Sequence, residues 1–525
     1  MATSFLYRLW SRRKSDGHVI RWHLATKPGY QSAPTDDPAN LPWMPWVVDP
    51  IDMSLGFAYL AQAKGAIGSG PGRLTLENTT DPLGGRSIHV YDETAAAWVT
   101  VSLGARPLNA LVTDYALAGW TFEEWVVEDG APFATAVLRI RGTMEVPAPA
   151  RSQIVVSVRD RTRDFDTPIL SGATYTGGGG LGGGEDLTDK TKERFFGWGY
   201  VEPTYLGVIG GLHTYSVNGG NPIEGAVTFW DEAFRLTKIT SGTPTGGQWK
   251  EDPATGILSV GGDRPKVPLC EVKGDKTGGV WRRYVGEVMK HLADGSGFTT
   301  VNAASVAALD ATPRTIGLWL PPGSTTTFRQ AFDKAAGSIA RGYWYLDGTG
   351  EMFVGRLPAP GTPEASYRRG STTTGLKPRE TADRGLPTTK VVLRFAEVPN
   401  PLRTAVANAT EADAGLLKNR WREATAEDPA VAANYPRVAQ TATIETQLFD
   451  RTEATAEAGQ FLADMAEPEL VYDLPLINTT AADIDLADTV GVTDDIATFE
   501  TGRNVIVIGR TLKRKSGNPT LTVRG

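Results

Sequence analysis

The sequence contains almost no cysteine, which excludes several classes of site. Cys270 is the one cysteine among 525 residues. A single chain can therefore form neither an internal disulfide framework nor a cysteine-built zinc or iron–sulfur site. The surrounding stretch, "KVPLCEVKG", is apolar and strand-like, which predicts a buried and inert thiol rather than a nucleophile.

Long apolar runs are missing as well. No stretch approaches the ~18 apolar residues that span a bilayer. The start, "MATSFLYRLWSRRK", places its charges after a short and interrupted apolar stretch, unlike a secretory signal. We therefore expect a soluble protein made in a reducing cytosol.

Signatures of catalysis are also lacking. None of the five histidines forms H-E-x-x-H or another short metal spacing, and neither G-x-S-x-G nor G-K-[ST] occurs. The adjacent acids Glu123–Glu124 and Asp494–Asp495 are predicted to be solvated or capping groups. "DIDLAD" (483–488) lacks the glycine and distal glutamate of a calcium loop and predicts a turn. We predict no catalytic, cofactor or metal residues, although distant carboxylates could still meet in a cleft.

What the sequence has in excess is glycine and proline, with 59 and 34 residues. Residues 177–184 are glycine except for Leu181, so the pattern G-x-G-x-x-G is matched trivially. Glu185, Asp186 and Asp189 follow at once and would repel a phosphate from a helix start. The tract is interpreted as slack chain rather than a nucleotide loop.

The charge balance gives no global attraction to nucleic acid. There are 53 basic and 60 acidic residues, for a net charge of −7. The N-terminal segment is locally basic, and two interpretations remain open: a solvated arm, or a surface that docks on an acidic protein. Its charged residues are Arg8, Arg12, Arg13, Lys14, Arg21 and Lys27, against Asp16.

Short β-branched runs separated by Gly, Pro and Asp dominate the first 170 residues, as in sandwiches and barrels. Seven of the fourteen tryptophans fall within the first 125 residues. Two interpretations of these tryptophans remain open: they fill the core and hold loops in place, or they form a large protein contact surface.

Helical spacing appears later in the chain. Apolar residues from Trp281 to Leu292 predict one helix, and Phe328 to Ile339 predict a second over 326–339. A hairpin with a "DGTG" turn follows at 342–357. A further helix is predicted at 451–466, with Asp450 as its cap, Glu453 completing a capping box, and a buried stripe. The stripe comprises Ala454, Ala458, Phe461, Leu462 and Met465. Two strands split by Ser516-Gly517-Asn518 are predicted to close the chain as a hairpin.

The order of these segments resembles the baseplate hub (tail-tip) proteins of long-tailed bacteriophages, in particular siphophages, over about 70–525. The motifs are "LTLENTTDPLGG" with "IHVYDE" and "IVVSVRDRTRDFDTPI"; "KTKERFFGWGYVEPTYL" after the glycine tract; "GYWYLDGTGEMFVGRL"; and "LLKNRWREATAEDPAV", "DRTEATAEAGQFLADM" and "DLADTVGVTD" with the terminal strands.

The resemblance implies a multi-domain, mainly β fold with a smaller α+β part: tube-type β-barrel domains plus a helix-helix-hairpin module. The predicted domains are 1–70, a phage-specific N-terminal contact segment; 71–175, a first β-barrel; 176–275, a glycine-rich tether and a β-rich domain; 276–357, a small α/β module; 358–387, an extended connection; and 388–525, a second β-barrel with one helix.

The resemblance also implies a non-enzymatic homotrimer at the distal end of the tail tube, in the virion, assembled in the host cytoplasm. Its expected partners are the distal tail protein, the tape-measure protein and tail-tip or central fibre proteins. Genomic DNA would pass through the lumen without specific binding, and transient contact with the host envelope is possible. Two alternatives stay open: a hexameric distal-tail adaptor, and an envelope-degrading or carbohydrate-binding spike.

Overall fold

The computed structural model describes residues 3–36, 39–61, 72–78, 87–102, 111–159, 161–297, 300–379, 386–402, 409–467, 470–477, 484–512 and 518–525. Part of the first hub-like motif (79–85), Asp483 and the predicted loop residues Ser516 and Gly517 lie outside these ranges.

The first thirteen strands are β1 to β13 in chain order: Thr3–Arg13, Val19–Ala25, Val47–Asp49, Met53–Gly56, Tyr59–Leu60, Gly72–Glu77, Ser87–Asp92, Ala97–Ser102, Tyr115–Ala116, Thr121–Glu128, Val137–Met144, Ala148–Pro149 and Gln153–Arg159. Strands β14 to β25 follow: Arg194–Val201, Thr204–Ile209, Leu212–Ser216, Ile223–Asp231, Phe234–Arg235, Thr237–Lys238, Gln248–Asp252, Ile257–Val260, Pro268–Asp275, Gly317–Leu320, Gly342–Leu346 and Met352–Arg356.

The last nine strands, β26 to β34, are Ala365–Arg368, Lys377–Arg379, Thr388–Phe395, Arg422–Glu427, Gln440–Glu445, Val471–Pro475, Thr489–Thr493, Arg503–Leu512 and Thr520–Arg524. The helices α1 to α6 are Val285–Ser296, Ala303–Asp310, Phe328–Gly337, Glu411–Lys418, Pro429–Asn434 and Arg451–Met465. The fold is therefore mainly β with a smaller helical part, as predicted.

Eleven strands form the N-terminal sheet, in the order β3-β6-β13-β11-β10-β1-β2-β7-β8, with β12 on β13 and β9 on β1. Strand β1 lies between β10 and β2. Residues 1–70 are thus not separate from the sheet that follows, in contrast to the predicted boundary. Strand β1 lacks the alternation of a half-buried strand because both of its faces are covered: Tyr7 and Leu9 join one core, and Leu6 joins another.

Between Val47 and Leu60 the chain contributes strands to three different sheets, beginning with β3 in the N-terminal sheet. Strand β4 pairs with β33, and β5 pairs with β24. Strand β33 belongs to the seven-stranded C-terminal sheet, in the order β26-β32-β33-β34-β31-β27 with β4 on β33. Apart from β4, the strands of this sheet begin at Ala365, inside the segment predicted to be an extended connection. The closing hairpin of β33 and β34 is confirmed.

Two five-stranded sheets occupy the middle of the chain, in the orders β18-β17-β22-β14-β23 and β15-β16-β21-β20-β19. Strand β14 changes partner along its length. Arg194 to Gly197 pair with β23, whereas Trp198 to Val201 pair with β22. A β-rich region after the glycine tract was predicted, and these sheets supply it.

The helical module packs in a central core with β24, β25 and the short sheet β29-β28-β30. Helix α1 begins at Val285 rather than Trp281, whose indole N–H instead donates to the Gly197 carbonyl at 3.2 Å. Helix α3 and the β24–β25 hairpin are confirmed. Helix α2 was not predicted.

Helix α6 is confirmed at 451–465, with Asp450 accepting from the Glu453 amide at 2.9 Å. The predicted capping box is wrong. The Glu453 carboxylate accepts instead from the backbone amide of Thr315, at 2.6 Å. Met465 is only partly buried, and the unpredicted Glu457 is fully buried. Residues 388–467 therefore pack against the helical module. They do not belong to one C-terminal barrel over 388–525, as was predicted.

Candidate functional site

The basic N-terminal residues lie in or directly after strands β1 and β2 of the N-terminal sheet and do not form a solvated arm. The Arg8 guanidinium carbon lies 4.3 Å from the centre of the Phe133 ring and 5.5 Å from that of Trp125. Such stacking favours arginine because its planar cation is weakly hydrated. Arg21 lies 4.8 Å from the Tyr91 ring centre and 3.3 Å from a Glu93 oxygen.

The other basic residues of this segment are also engaged within the chain. Arg13 pairs with Asp16 at 2.6 Å, and Lys27 pairs with Asp129 at 2.9 Å. The Lys14 ammonium donates to the Thr113 carbonyl at 2.8 Å. The expectation of a solvated arm is therefore wrong. Except for the Arg13–Asp16 pair, the partners named here are far away in sequence, so the local pattern of basic residues was misread.

The acid pair Glu123–Glu124 was predicted to be solvated or capping, and this is wrong. Glu124 is fully buried and accepts from the Tyr7 hydroxyl at 2.9 Å. Glu123 is also buried and accepts two hydrogen bonds from Arg141, at 2.7 and 3.0 Å. The register of β10 against β11 shifts between Glu124 and Trp125, which is the signature of a β-bulge.

The second acid pair was also predicted to be solvated or capping, and this holds for Asp495 but not for Asp494. Asp494 is buried and accepts from the Leu376 amide at 2.6 Å, holding a loop. Asp495 is solvated, and one of its oxygens lies 2.7 Å from Arg369. In the "DIDLAD" stretch Asp488 accepts from the Asp485 amide at 2.6 Å, so the predicted turn is present. Burial raises the pKa of Asp488.

Cys270 lies in β22 with no exposed surface, which confirms the predicted buried thiol. Burial raises its pKa well above the ordinary value, so the thiol stays protonated and unreactive. Within the described ranges, no group of three His, Cys, Asp or Glu side chains could hold a metal ion. No helix in the same ranges is long and apolar enough to cross a bilayer.

The glycine tract is a compact loop rather than slack chain. The Gly177 amide donates to the Gly182 carbonyl at 3.0 Å, and the Gly179 amide donates to Gly183 at 2.9 Å. The ends of the loop are joined where the Tyr175 amide donates to the Lys190 carbonyl, at 2.9 Å. Residues 177–180 all have positive φ, which glycine adopts without steric cost. The loop closes on itself before β14 begins.

His23 is the histidine with the most unusual environment. Its ring is buried between Trp43 and Trp98, and within the described part of the chain neither ring nitrogen has a hydrogen-bond partner. Burial, together with the nearby Arg8 and Arg21 charges, lowers its pKa well below the ordinary value. His23 is therefore neutral in the folded chain.

We expect this histidine to make the stability of the N-terminal sheet depend on pH. Below about pH 6.5, the unfolded chain binds a proton that folded His23 cannot bind. The free energy of unfolding should then fall by about 1.4 kcal/mol per pH unit, whereas above this pH the contribution is constant. Urea denaturation of the wild type and His23→Phe between pH 5 and 8 tests this. The two chains should differ in slope only below about pH 6.5, and parallel curves would refute the assignment.

Aromatic side chains that are distant in sequence meet in a cleft of about 300 Å³. Trp198 and Tyr200 of β14 each place their ring centre 5.2 Å from that of Phe449. Trp319 of β23 lines the same cleft, with Glu397 and Arg420 near it. Arg420 pairs with Glu397 at 2.6 Å. From the sequence the tryptophans looked scattered, and only the pairing of β14 with β23 brings Trp198 and Trp319 together.

The sequence matches no protein-family model, and no curated protein matches it significantly. In structure the chain is similar to phage tail proteins. For the prophage MuSo2 43 kDa tail protein from Shewanella oneidensis, the TM-score is 0.42 at 10% identity, covering 99% of this chain and 96% of that one. For the tail protein from Neisseria meningitidis MC58, the TM-score is 0.42 at 11% identity, covering 100% of this chain and 97% of that one.

For prophage tail protein gp18 from Listeria monocytogenes EGD-e, the TM-score is 0.39 at 7% identity, covering 100% of this chain and 94% of that one. Similarities of this size carry no conclusion about function by themselves.

Proposed function

We propose that this chain is a structural subunit of a phage tail: a baseplate hub of the siphophage type that forms a ring at the distal end of the tail tube. The observation that carries the proposal is the pair of large sheets built from opposite ends of the chain. The N-terminal sheet has eleven strands and the C-terminal sheet seven, and residues 47–60 contribute strands to both. The order of motifs along the sequence supports the same function.

Two large sheets in each subunit suit a ring that joins a threefold hub to a sixfold tube. Three chains would present six sheets, so that one subunit offers two similar surfaces to neighbours that repeat six times. The sequence has no internal repeat, and the two sheets differ in strand number. The similarity we propose is therefore one of position and shape rather than of sequence.

The proposed role of the subunit is to form a conduit for DNA rather than to catalyse a reaction. Genomic DNA would pass through the lumen during delivery, and each lumenal lysine or arginine would hold it by releasing counterions from phosphate. The net charge of −7 is consistent with a neutral or acidic lumen wall. The proposed partners are the distal tail protein, the tape-measure protein and tail-tip or central fibre proteins, in the virion, with assembly in the host cytoplasm.

The native mass of the purified full-length chain tests the proposal. In the absence of other tail proteins, native mass spectrometry across a concentration series should show the mass of three copies of the chain. A mass of six copies would favour the distal-tail adaptor. Monomers at high concentration would contradict a self-assembling ring.

A second candidate function, carbohydrate binding by a tail spike, is favoured by one observation. The aromatic cleft brings Trp198, Trp319 and Phe449 together with polar groups at its rim. Aromatic faces beside polar side chains are typical of ligand pockets. Incubation with peptidoglycan and host polysaccharide separates the two functions. A hub neither cleaves nor tightly binds them, whereas a spike does, and Trp319→Ala should then abolish the binding.

A further inference from the structure

One face of the N-terminal sheet carries a row of polar side chains whose positions follow from strand register. Glu123 of β10 lies opposite Arg141 of β11, and Thr121 lies opposite Thr143. Thr143 in turn lies opposite Arg159 of β13. Because cross-strand partners point to the same side of a sheet, these five residues share one face.

The row forms the floor of a cleft of about 500 Å³. The 3₁₀ turn Arg161–Asp166, which directly follows β13, adds Arg161 and Asp164 to its wall. Trp10 of β1 closes another side. The cleft therefore combines a polar floor, three arginines and one aromatic ring.

The charges in this cleft do not balance. Arg141 is held by Glu123, with its Nη2 atom 2.7 Å from the carboxylate. Arg161 is held by Asp164, with its Nε atom 3.1 Å from the carboxylate. Three guanidinium groups less two carboxylates leave one positive charge, and Arg159 carries it.

Arg159 has no acceptor in the described part of the chain. Its Nε atom is sealed from solvent and makes no hydrogen bond. A buried unsatisfied donor is rare in folded proteins, and one explanation is a group that is supplied from outside. The guanidinium presents its donors in a planar fork that fits a carboxylate with two parallel bonds.

We propose that this cleft binds a carboxylate from an acidic segment of a neighbouring protein, with Arg159 as the principal contact. One uncompensated positive charge matches one carboxylate, whereas a phosphate brings a larger negative charge. The volume of about 500 Å³ admits a side chain together with part of its backbone. Thr143, opposite Arg159, and Thr121, one strand further along the floor, also line the cleft, and their hydroxyl groups offer further donors. The site does not depend on the proposed ring.

Calorimetric titration of the full-length chain tests the proposal at constant ionic strength. The probe is the blocked peptide acetyl-Ala-Ala-Glu-Ala-Ala-amide, beside its twin with glutamine in place of glutamate, and inorganic phosphate. The glutamate peptide should bind at least about tenfold more tightly than its twin, because charge-assisted hydrogen bonds are the stronger kind. Arg159→Gln should remove that difference.

The matched control is Arg163→Gln, which removes the same charge from the 3₁₀ turn that directly follows β13. Arg163 is 62% exposed and lies 4.0 Å from Glu145. The Arg163→Gln substitution should leave binding of the glutamate peptide unchanged. Equal binding of the two peptides, no binding of either, equal loss in both variants, or tighter binding of phosphate than of the glutamate peptide would each overturn the proposal. Thermal melting of each variant verifies that it is folded.

Discussion

Glu457→Gln should lower the free energy of unfolding of the central core by about 3–5 kcal/mol, the usual cost of breaking a buried ion pair. Glu457 is fully buried in helix α6. Its carboxylate lies 2.7 Å from Arg314 and 2.7 Å from Arg356, and it accepts from the Ala340 amide at 2.8 Å. One side chain thus joins α6 to three other segments. Glutamine keeps the volume but leaves two arginines without a counter-charge. Urea denaturation measures the loss.

The control for this prediction is Glu445→Gln. Glu445 also pairs with an arginine, Arg394, at 3.1 Å, but its side chain is 58% exposed. Exposed pairs contribute only about 0–1 kcal/mol because water and salt screen them. The two variants remove the same charge, so the comparison isolates burial. Equal losses in the two variants would contradict the structural role of Glu457.

Leu9→Asn should destabilise the N-terminal sheet by about 4 kcal/mol or more, from a lost apolar contact and an unsatisfied buried polar group. Leu9 is fully buried in β1. Its neighbours in register are Phe122 of β10 and Trp22 of β2. Calorimetry should show the corresponding transition at lower temperature or show that it is lost.

Arg12→Asn places the same residue on an exposed position of the same strand. Surface substitutions of this kind usually stay within about 0.5 kcal/mol. If residues 1–70 were a contact segment outside the sheet, both variants would retain wild-type stability. A large loss for Leu9→Asn alone is the result that the strand pairing predicts.

The parts of this fold that could be predicted from the sequence are those encoded locally. Helix α6 carries its cap and apolar stripe within one segment, and the β24–β25 hairpin carries its turn between two strands. Cys270 lies in an apolar strand, and its burial follows from its immediate neighbours. Each of these features depends on residues that are close together in the chain.

The features that were missed depend on partners distant in sequence. Glu124 looked solvated beside Glu123, yet its partner Tyr7 is 117 residues away. Arg8 looked like part of a basic arm, but the aromatic rings that enclose it come from three other segments. Strand β1 is buried on both faces, so it showed no alternation to identify it. A register shift in β10 and long-range pairing cannot be inferred from local pattern.

Electron microscopy of the purified, assembled chain tests the central claim most directly. Class averages should show a closed ring around an open lumen with threefold symmetry, and with six sheet domains on its circumference. Compact single particles without a lumen, or a sixfold ring of six copies, would contradict the account of this chain as a hub subunit.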